Sequence, residues 1–442
     1  MLHKIPEQEL EGALYIVNTL RSEGFKALFA GGAVRDLMLG RPVRDIDIVT
    51  SATPEEVEGI FPRTVAVGKA FGVIRVLYGN IEYEVATFRT DLGYEDGRRP
   101  TAVKYVEDRE DALRRDFTVN ALFFDPSDNR VIDFIDGQKD IEARVIKAVG
   151  DPEVRFREDK LRMLRAVRFA VELDFRIDGA TADAIKRQAG EILCVSWERI
   201  RDELLKILAS PAPDRGLDLL DEFGLLDLIL PEVSAMKGVE QPPQFHPEGD
   251  VFVHTRLMLN LSGVSISRVL AMVILLHDVG KPPAFTVRER IRFDGHAEVG
   301  ADMALKICER LRMSSQETRR IVSLVRDHLR FIPVQQMKES TLKRFLRMQD
   351  FDLHVELHRL DCLASHGDLS NYLFCEKKLR QYSREEVKPE ALIKGQDLID
   401  LGFKPGPLFS EILEKVEDLQ LEGKLENRAG ALEFVDKEFR RK

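Results

Sequence analysis

The chain has 442 residues, of which 44% are hydrophobic and 32% charged, and a formal net charge of −10. That length provides for about two to four domains with ample core, and the composition excludes the disordered and fibrous classes. The acidic balance argues against a uniformly basic nucleic-acid binder, so an anion site must come from a local cluster of cations.

No apolar run approaches the ~20 residues of a transmembrane helix, and the opening MLHKIPEQELEGAL has no signal-peptide core. Cys194, Cys308, Cys362 and Cys375 are widely spaced with no CxxC pair, which reads as reduced thiols in a cytoplasmic protein.

Residues 6–22 have helical spacing, with Leu10, Leu14, Ile16, Val17 and Leu20 on the apolar side. The next stretch, Leu28–Thr50 (LFAGGAVRDLMLGRPVRDIDIVT), organises the rest. A short apolar run ends in Gly31-Gly32. An apolar segment carries Arg35 and Asp36, and Gly40 and Pro42 break it. Asp45-Ile46-Asp47-Ile48-Val49 then alternates. This reads as strand, glycine turn, helix, turn, strand. A period of two puts both carboxylates on one strand face, with Ile46 and Ile48 on the other. Adjacent aspartates repel, and a divalent cation relieves the repulsion; Mg²⁺ suits one or two carboxylates plus substrate phosphates. Gly31-Gly32 lets backbone approach a phosphate at a helix start, and Arg35 adds a charged fork. Each part alone is an ordinary turn or a solvated edge. Joined in one short unit, they point to a nucleotide site.

Thr53-Pro54-Glu55-Glu56 opens a helix. Val73–Tyr78 and Ile81–Phe88, joined by Gly79-Asn80, read as a β-hairpin. Glu84 in its second strand either faces solvent or completes a set of three carboxylates. Asp91–Thr101 (DLGYEDGRRPT) has no periodicity and reads as a loop. In DALRRDFTVNA (residues 111–121), Arg114, Arg115, Asp116 and Asn120 are too polar for a simple core segment. They suit a structural ion pair or contacts to a nucleotide. Asp133–Ile141 reads as a turn leading into a helix.

Arg157–Ala170 (REDKLRMLRAVRFA) reads as one helix. Asp159, Arg162, Arg165 and Arg168 recur every three residues, which puts Asp159 beside Arg162 one turn on. Such a pair can be a surface salt bridge of little worth. Held rigidly, it presents an acceptor and donors to the Watson–Crick edge of C or A. Ser196–Leu208 opens a further helix, with Trp197, the sole tryptophan, expected in the core.

Gln241-Pro242-Pro243 reads as a linker or domain edge. Beyond it His254, His277, Asp278, His296 and His328 gather. In LLHDVGKP an apolar helix delivers His277 and Asp278, and Gly280-Lys281 ends it. Imidazole with carboxylate suits Mn, Ni, Fe or Zn. The final stretch holds short helices punctuated by Gly395, Gly402 and Pro405-Gly406-Pro407. Its Lys394, Lys404, Lys415 and Lys424 alternate with acids.

In this order, the motifs resemble those of class II tRNA nucleotidyltransferases and bacterial poly(A) polymerases, within the polymerase-beta-like superfamily. LLHDVGKP and its surroundings resemble the HD superfamily. The resemblance covers residues 28–208 and then the HD region and tail. It implies an α+β fold: a nucleotidyltransferase head with a mixed β-sheet (1–150), then an all-α remainder. That remainder would comprise a neck and body (151–240), an HD-type helical domain (241–375) and a helical tail (376–442).

The implied activity is template-independent addition of C and/or A from CTP and ATP to the tRNA 3′ end, with the acceptor arm and elbow as contacts. Asp45, Asp47 and Glu84 would be catalytic, with Asp45 and Asp47 holding Mg²⁺. Gly31, Gly32, Arg35, Arg115 and Asp116 would meet triphosphate and ribose. Asp159 and Arg162 would select the base, and Arg165 and Arg168 would neutralise phosphate. At the HD region the resemblance gives His254, His277, Asp278 and Asp361 as metal ligands, with His296 and His328 able to hold a second ion.

In the family, the Asp91–Thr101 region holds a loop that serves the passage from C to A addition. Alternatives are an enzyme adding only CC or only A, or a bacterial poly(A) polymerase, though Val67–Ile74 (VGKAFGVI) looks more like the tRNA enzymes. From another class, an HD phosphohydrolase would use its head only to bind nucleotide. No membrane partner is expected, and oligomeric state is open.

Overall fold

The computed structural model describes residues 2–43, 45–66, 69–94, 100–263, 266–287 and 289–440. Two compact units result: Met1–Ser234 with Arg310–Arg312, and Ala235–Glu309 with Met313–Lys442.

The first unit opens with helix α1 (Glu7–Ser22), which buries Ala13, Ile16, Val17 and Leu20. Strand β1 (Ala27–Ala30), helix α2 (Gly32–Met38) and strand β2 (Asp47–Thr50) follow in the expected order. Helix α3 (Pro54–Ile60) starts on Thr53, whose side chain accepts from Glu56 N–H while the Glu56 carboxylate accepts from Thr53 N–H. This reciprocal cap satisfies two helix-end amides. Strands β3 (Thr64–Val65), β4 (Val73–Tyr78) and β5 (Ile81–Thr87) come next, with β4 and β5 forming the expected hairpin. Then come strands β6 (Arg89–Tyr94) and β7 (Pro100–Tyr105), helix α4 (Asp108–Leu113), and strands β8 (Phe123–Asp125) and β9 (Arg130–Ile132).

Seven of these strands form one sheet in the order β3-β4-β5-β2-β1-β8-β9. Within it β2 and β5 run parallel, Ile48 opposite Val85, and the other pairs are antiparallel, so the sheet is mixed. Leu28, Val49, Phe88 and Phe123 pack into its core.

The reading of Asp91–Thr101 as a loop is corrected here, because β6 and β7 pair antiparallel as a separate two-stranded ribbon. A ribbon outside the main sheet has no face tied to that sheet's core, so apolar alternation is not demanded of it. Residues 95–99, the tip of that stretch, lie outside the described residues, as do Val67 and Gly68 of VGKAFGVI.

Helix α5 (Gly137–Glu142) follows the turn at Asp133, whose carboxylate accepts amide hydrogens from Ile135, Gly137 and Gln138. A Cβ on Gly137 would lie 2.3 Å from the Thr118 carbonyl oxygen, so the turn packs backbone to backbone. The predicted helix Arg157–Ala170 is two helices, α6 (Pro152–Glu158) and α7 (Arg162–Leu173). Asp159 between them is extended (φ −145°, ψ 105°), and its carboxylate accepts from Leu161 N–H at 3.1 Å. A short acidic side chain competes in this way with helical hydrogen bonding. Helices α8 (Gly179–Gln188) and α9 (Trp197–Leu208) complete the part that bears on the site. Trp197 is half-buried at the start of α9 rather than in the core.

The second unit is helical. Helix Arg268–Leu276 is buried from Val269 onward and ends at His277. Helices Val251–Leu261, His296–Arg310, Ser315–Asp327 and Phe351–Ala364 carry the other chemistry-bearing residues. Near the C-terminus Ile393, Leu398, Ile412, Val416, Ala431 and Val435 form a separate small core, and Lys424 there pairs with Glu422. All four cysteines are free thiols. Among the described residues no helix is long and apolar enough to cross a membrane.

Candidate active site

Gly31 joins β1 to α2 at φ 68°, in the left-handed region. A Cβ there would lie 3.3 Å from Arg115 Nη1 and 3.3 Å from Asp47 Oδ2. Glycine answers both demands, the turn and the close approach of two charged groups. Asp45 and Asp47 are exposed, while Ile46 and Ile48 are buried. The parallel register of β2 on β5 sets Ile48 opposite Val85, so Asp47 and Glu84, each one step earlier, are neighbours. Desolvation in the cleft, then the charge of Glu84, push the Asp47 carboxyl up to about 6; Arg115 opposes this and Asp45 adds to it.

A cleft of about 400 Å³ opens over this edge, walled by Gly31, Asp47, Glu84, Arg115, Asp116 and Asp159. Arg162, Arg165 and Arg199 also line it. A second cleft, of about 380 Å³, is lined by Asp45, Asp47 and Glu84. The acids therefore stand where two clefts meet.

The cations are held by buried acids. Asp111 accepts Nε and Nη2 of Arg115 at 3.1 and 3.0 Å on one oxygen and Arg114 Nη2 at 2.6 Å on the other. The Arg115 guanidinium also lies 5.0 Å from the Phe123 ring. Asp116 accepts Nε and Nη2 of Arg165 at 2.9 and 2.6 Å, and Asn120 Nδ2 at 3.2 Å. Burial alone would raise the Asp116 carboxyl, but Arg165, with Arg162 and Asn120, brings it down to about 2.

Two residues expected to meet phosphate are engaged by neighbouring side chains in this structure. Arg35 is buried, with its guanidinium on Asp36 at 3.0 and 3.1 Å and on Asn120 Oδ1 at 2.6 Å. Arg168 lies over the Phe169 ring at 4.3 Å and faces Glu203 at 3.2 Å and Glu172 at 3.8 Å. Neither lines the 400 Å³ cleft, nor does Gly32. The expected placing of Asp159 and Arg162 one turn apart on a single helix is corrected. The break before α7 turns Asp159 toward Arg199 of α9, which donates from Nη2 and Nη1 at 2.7 and 3.2 Å. Arg162 Nη1 donates to Glu158 at 2.7 Å. Arg199 and Asp111 were missed by sequence reasoning: Arg199 has its partner 40 residues away, whereas the spacing of Asp111 to Arg114 and Arg115, three and four residues on, was a usable signal.

The second unit gathers the expected histidines. His277 Nε2 lies 3.2 Å from Asp278 Oδ2, and His254 Nε2 lies 3.2 Å from Asp361 Oδ1. His296 and His328 approach Asp278 Oδ1 at 3.5 and 3.8 Å. Ligand atoms of His254, His277 and Asp278 all lie within 4.8 Å of one another, as do those of Asp278, His296 and His328. Nδ1 of His277, His296 and His328 meets the backbone carbonyl of Ile274, Phe293 and Val325, respectively. That fixes the tautomer and leaves each Nε2 as the ligating atom. Nε2 of His254 and of His277 is buried, and the carboxylate oxygen 3.2 Å from each is not aligned for a hydrogen bond. Burial drives His328 down to about 4, whereas at His254 burial is outweighed by the Asp361 and Glu248 carboxylates, which bring it up to about 9, so a metal there would have to displace a proton. The donor set fits a divalent metal. Among the described residues such tight clusters lie only in this unit, so the head acids are more widely spaced.

A mixed sheet with paired acids at one strand edge, facing a cleft of held arginines, defines a nucleotidyltransferase head. Three family models match the chain: "Poly A polymerase head domain" over residues 27–147, "Probable RNA and SrmB- binding site of polymerase A" over 174–237, and "HD domain" over 252–363. The CCA-adding enzyme of Ligilactobacillus salivarius is 34% identical over 94% of this chain and 93% of its own length. That of Lactobacillus helveticus is 33% identical over 97% of each. That of Geobacillus sp. (strain WCH70) is 47% identical over 226 residues, and the match spans 55% of its length. The crystal structure of the Bacillus stearothermophilus CCA-adding enzyme in complex with CTP superposes with TM-score 0.75 and 29% identity, covering 99% of this chain and all of that one. The chain belongs to the CCA-adding enzyme family and is a nucleotidyltransferase.

Proposed function

We propose that this protein adds C and A from CTP and ATP to the 3′ end of tRNA. The terminal 3′-hydroxyl attacks the α-phosphate, the α–β phosphoanhydride bond breaks, and pyrophosphate leaves. The observation that carries this reading is the neighbouring of Asp47 and Glu84 across β2 and β5, opposite Arg115 and Arg165 in one cleft. The family and the CTP complex of its structural relative support it.

Asp45, Asp47 and Glu84 would hold Mg²⁺, a hard cation suited to carboxylates and phosphates, which would lower the pKa of the attacking hydroxyl and stabilise the leaving oxygen. Gly31 gives room for the triphosphate beside Arg115, whose charge is aimed before substrate arrives. Asp116 fixes Arg165 and would accept from a ribose hydroxyl. Arg35 and Gly32 act behind the cleft, Arg35 by orienting Asn120, and Arg168 braces α7 through Glu203. Asp159 and Arg162 offer an acceptor and donors to the base edge. The tRNA would be recognised mainly through backbone and shape.

In this reading residues 1–150 are the catalytic head, 151–240 the neck and body, 241–375 the HD domain and 376–442 a tail reaching the tRNA elbow. The protein works in the cytoplasm. The His254–His277–Asp278–Asp361 centre would hold Mn, Ni, Fe or Zn, with a second ion on His296 and His328. That complete set favours a second reading of this unit, as a phosphohydrolase whose activity survives loss of Asp45 and Asp47.

Primer extension tests the main reading. Transcripts of tRNA ending before CCA, after C and after CC are given Mg²⁺ with CTP, ATP or both. CC followed by a single A is expected. Addition of only CC or only A means a split-activity enzyme, a long A tail means a poly(A) polymerase, and no incorporation sinks the reading.

A further inference from the structure

The loop 238–250 carries the Pro-Pro pair read as a linker, yet it is tied down at three points. Asp250 caps the helix Val251–Leu261 at Val253 N–H, 2.8 Å, and accepts Gly238 N–H at 2.7 Å. Gln241, 4% exposed, accepts Lys281 Nζ at 2.7 Å, and the same ammonium lies 2.6 Å from Asp278. Glu248 Oε1 meets His254 Nδ1 at 2.6 Å and His246 Nδ1 at 2.9 Å.

His254 has a reason to need this carboxylate. His277, His296 and His328 each anchor Nδ1 on the backbone carbonyl three residues back, at or beside a helix end. His254 sits within the first turn of its helix, and the carbonyl three residues back, Val251 O, already accepts Thr255 Oγ1 at 3.0 Å. Glu248 fills the missing role. Its side chain is 7% exposed and that of His254 fully buried, so solvent does not compete.

We infer that Glu248 is a positioning residue of the metal centre: it fixes the tautomer and direction of His254, with His246 bracing the carboxylate from the other side. The inference rests on the metal reading of the His–Asp cluster. A carboxylate behind a ligating imidazole orients the ring and raises its basicity.

The test is Mn²⁺ titration calorimetry on full-length protein stripped with chelator, comparing wild type with Glu248→Gln, Glu248→Ala, His246→Ala and Asp278→Asn. Loss of the outer carboxylate is expected to weaken Mn²⁺ binding about 10–100-fold in Glu248→Ala, with Glu248→Gln between it and wild type and His246→Ala within about threefold. Asp278→Asn abolishes binding. Histidine ¹⁵N spectra should show the His254 Nδ1–H signal shifted in Glu248→Gln and that of His277 unmoved. Wild-type affinity in Glu248→Ala, or in Glu248→Gln should the alanine variant not fold, overturns the inference while Asp278→Asn keeps the metal reading. Absence of Mn²⁺ binding in wild type overturns both.

Discussion

Arg199 grips Asp159 with two hydrogen bonds, at 2.7 and 3.2 Å, across 40 positions of sequence. The direction of the carboxylate proposed to read the base is therefore set from α9. A hydrogen bond to a charged group contributes about 1.5–3 kcal/mol, equivalent to about 10–100-fold in rate. Arg199→Met should lower kcat/KM for CTP and ATP by that factor and also lower the preference for CTP over UTP. Single-nucleotide incorporation kinetics check it. An unchanged preference would reduce Arg199 to a scaffold.

Asp47→Asn removes a proposed metal ligand whose carboxyl is already pushed up to about 6. Several kcal/mol of transition-state stabilisation should go with it, about a thousandfold or more in nucleotide addition. Mn²⁺ binding at the His–Asp centre should not change. Parallel addition assays and metal titrations on the one variant separate the two sites.

Asp116 predicts a pH dependence. Its folded carboxyl is down near 2, below the ordinary 3.8. A depressed carboxyl contributes stability that is full above the unfolded value and fades as pH falls through the folded one, so the window is roughly pH 4 down to 2. The size is about 2 kcal/mol, with Asp116 11% exposed. Asp116→Asn should melt lower than wild type at pH 7, and the gap should narrow in melts taken from pH 4 toward 2. A constant gap would mean the Arg165 pair contributes nothing through charge.

The thiols divide sharply. Cys194 is exposed, whereas burial pushes Cys308, Cys362 and Cys375 up to about 12. A chromogenic disulfide reagent at pH 8 should titrate one thiol rapidly in the native protein and four after unfolding, because the thiolate is the reactive form. Rapid reaction of more than one would contradict the buried packing.

The strand–turn–helix–strand unit from Leu28 to Thr50 was legible because its cues are local: a period of two, a Gly-Gly turn and alternating acids. His277 and Asp278 were legible for the same reason, at the end of an unbroken apolar helix. Asp159 was misplaced because a spacing of three runs unchanged through a helix break, and only the packing of α7 on α9 decides where its carboxylate turns. Asp111 and Glu248 passed unnoticed although their partners are close in sequence, Arg115 four residues on and His254 six, because spacing alone does not tell a buried carboxylate from a solvated one. The Pro-Pro pair at 242–243 reads as a linker or domain edge and says nothing of the tie from Gln241 to Lys281.

The neighbouring of Asp47 and Glu84 is a property of strand register, not of either acid. A one-residue slip of β5 along β2 would replace Glu84 with Tyr83 or Val85 beside Asp47 and put a phenol or an isopropyl group where a carboxylate belongs. Tyr83 and Val85, 2% and 1% exposed, anchor β5 against such a slip. An activity screen of random substitutions would therefore score these two interior side chains as if they did chemistry, although neither would touch a nucleotide.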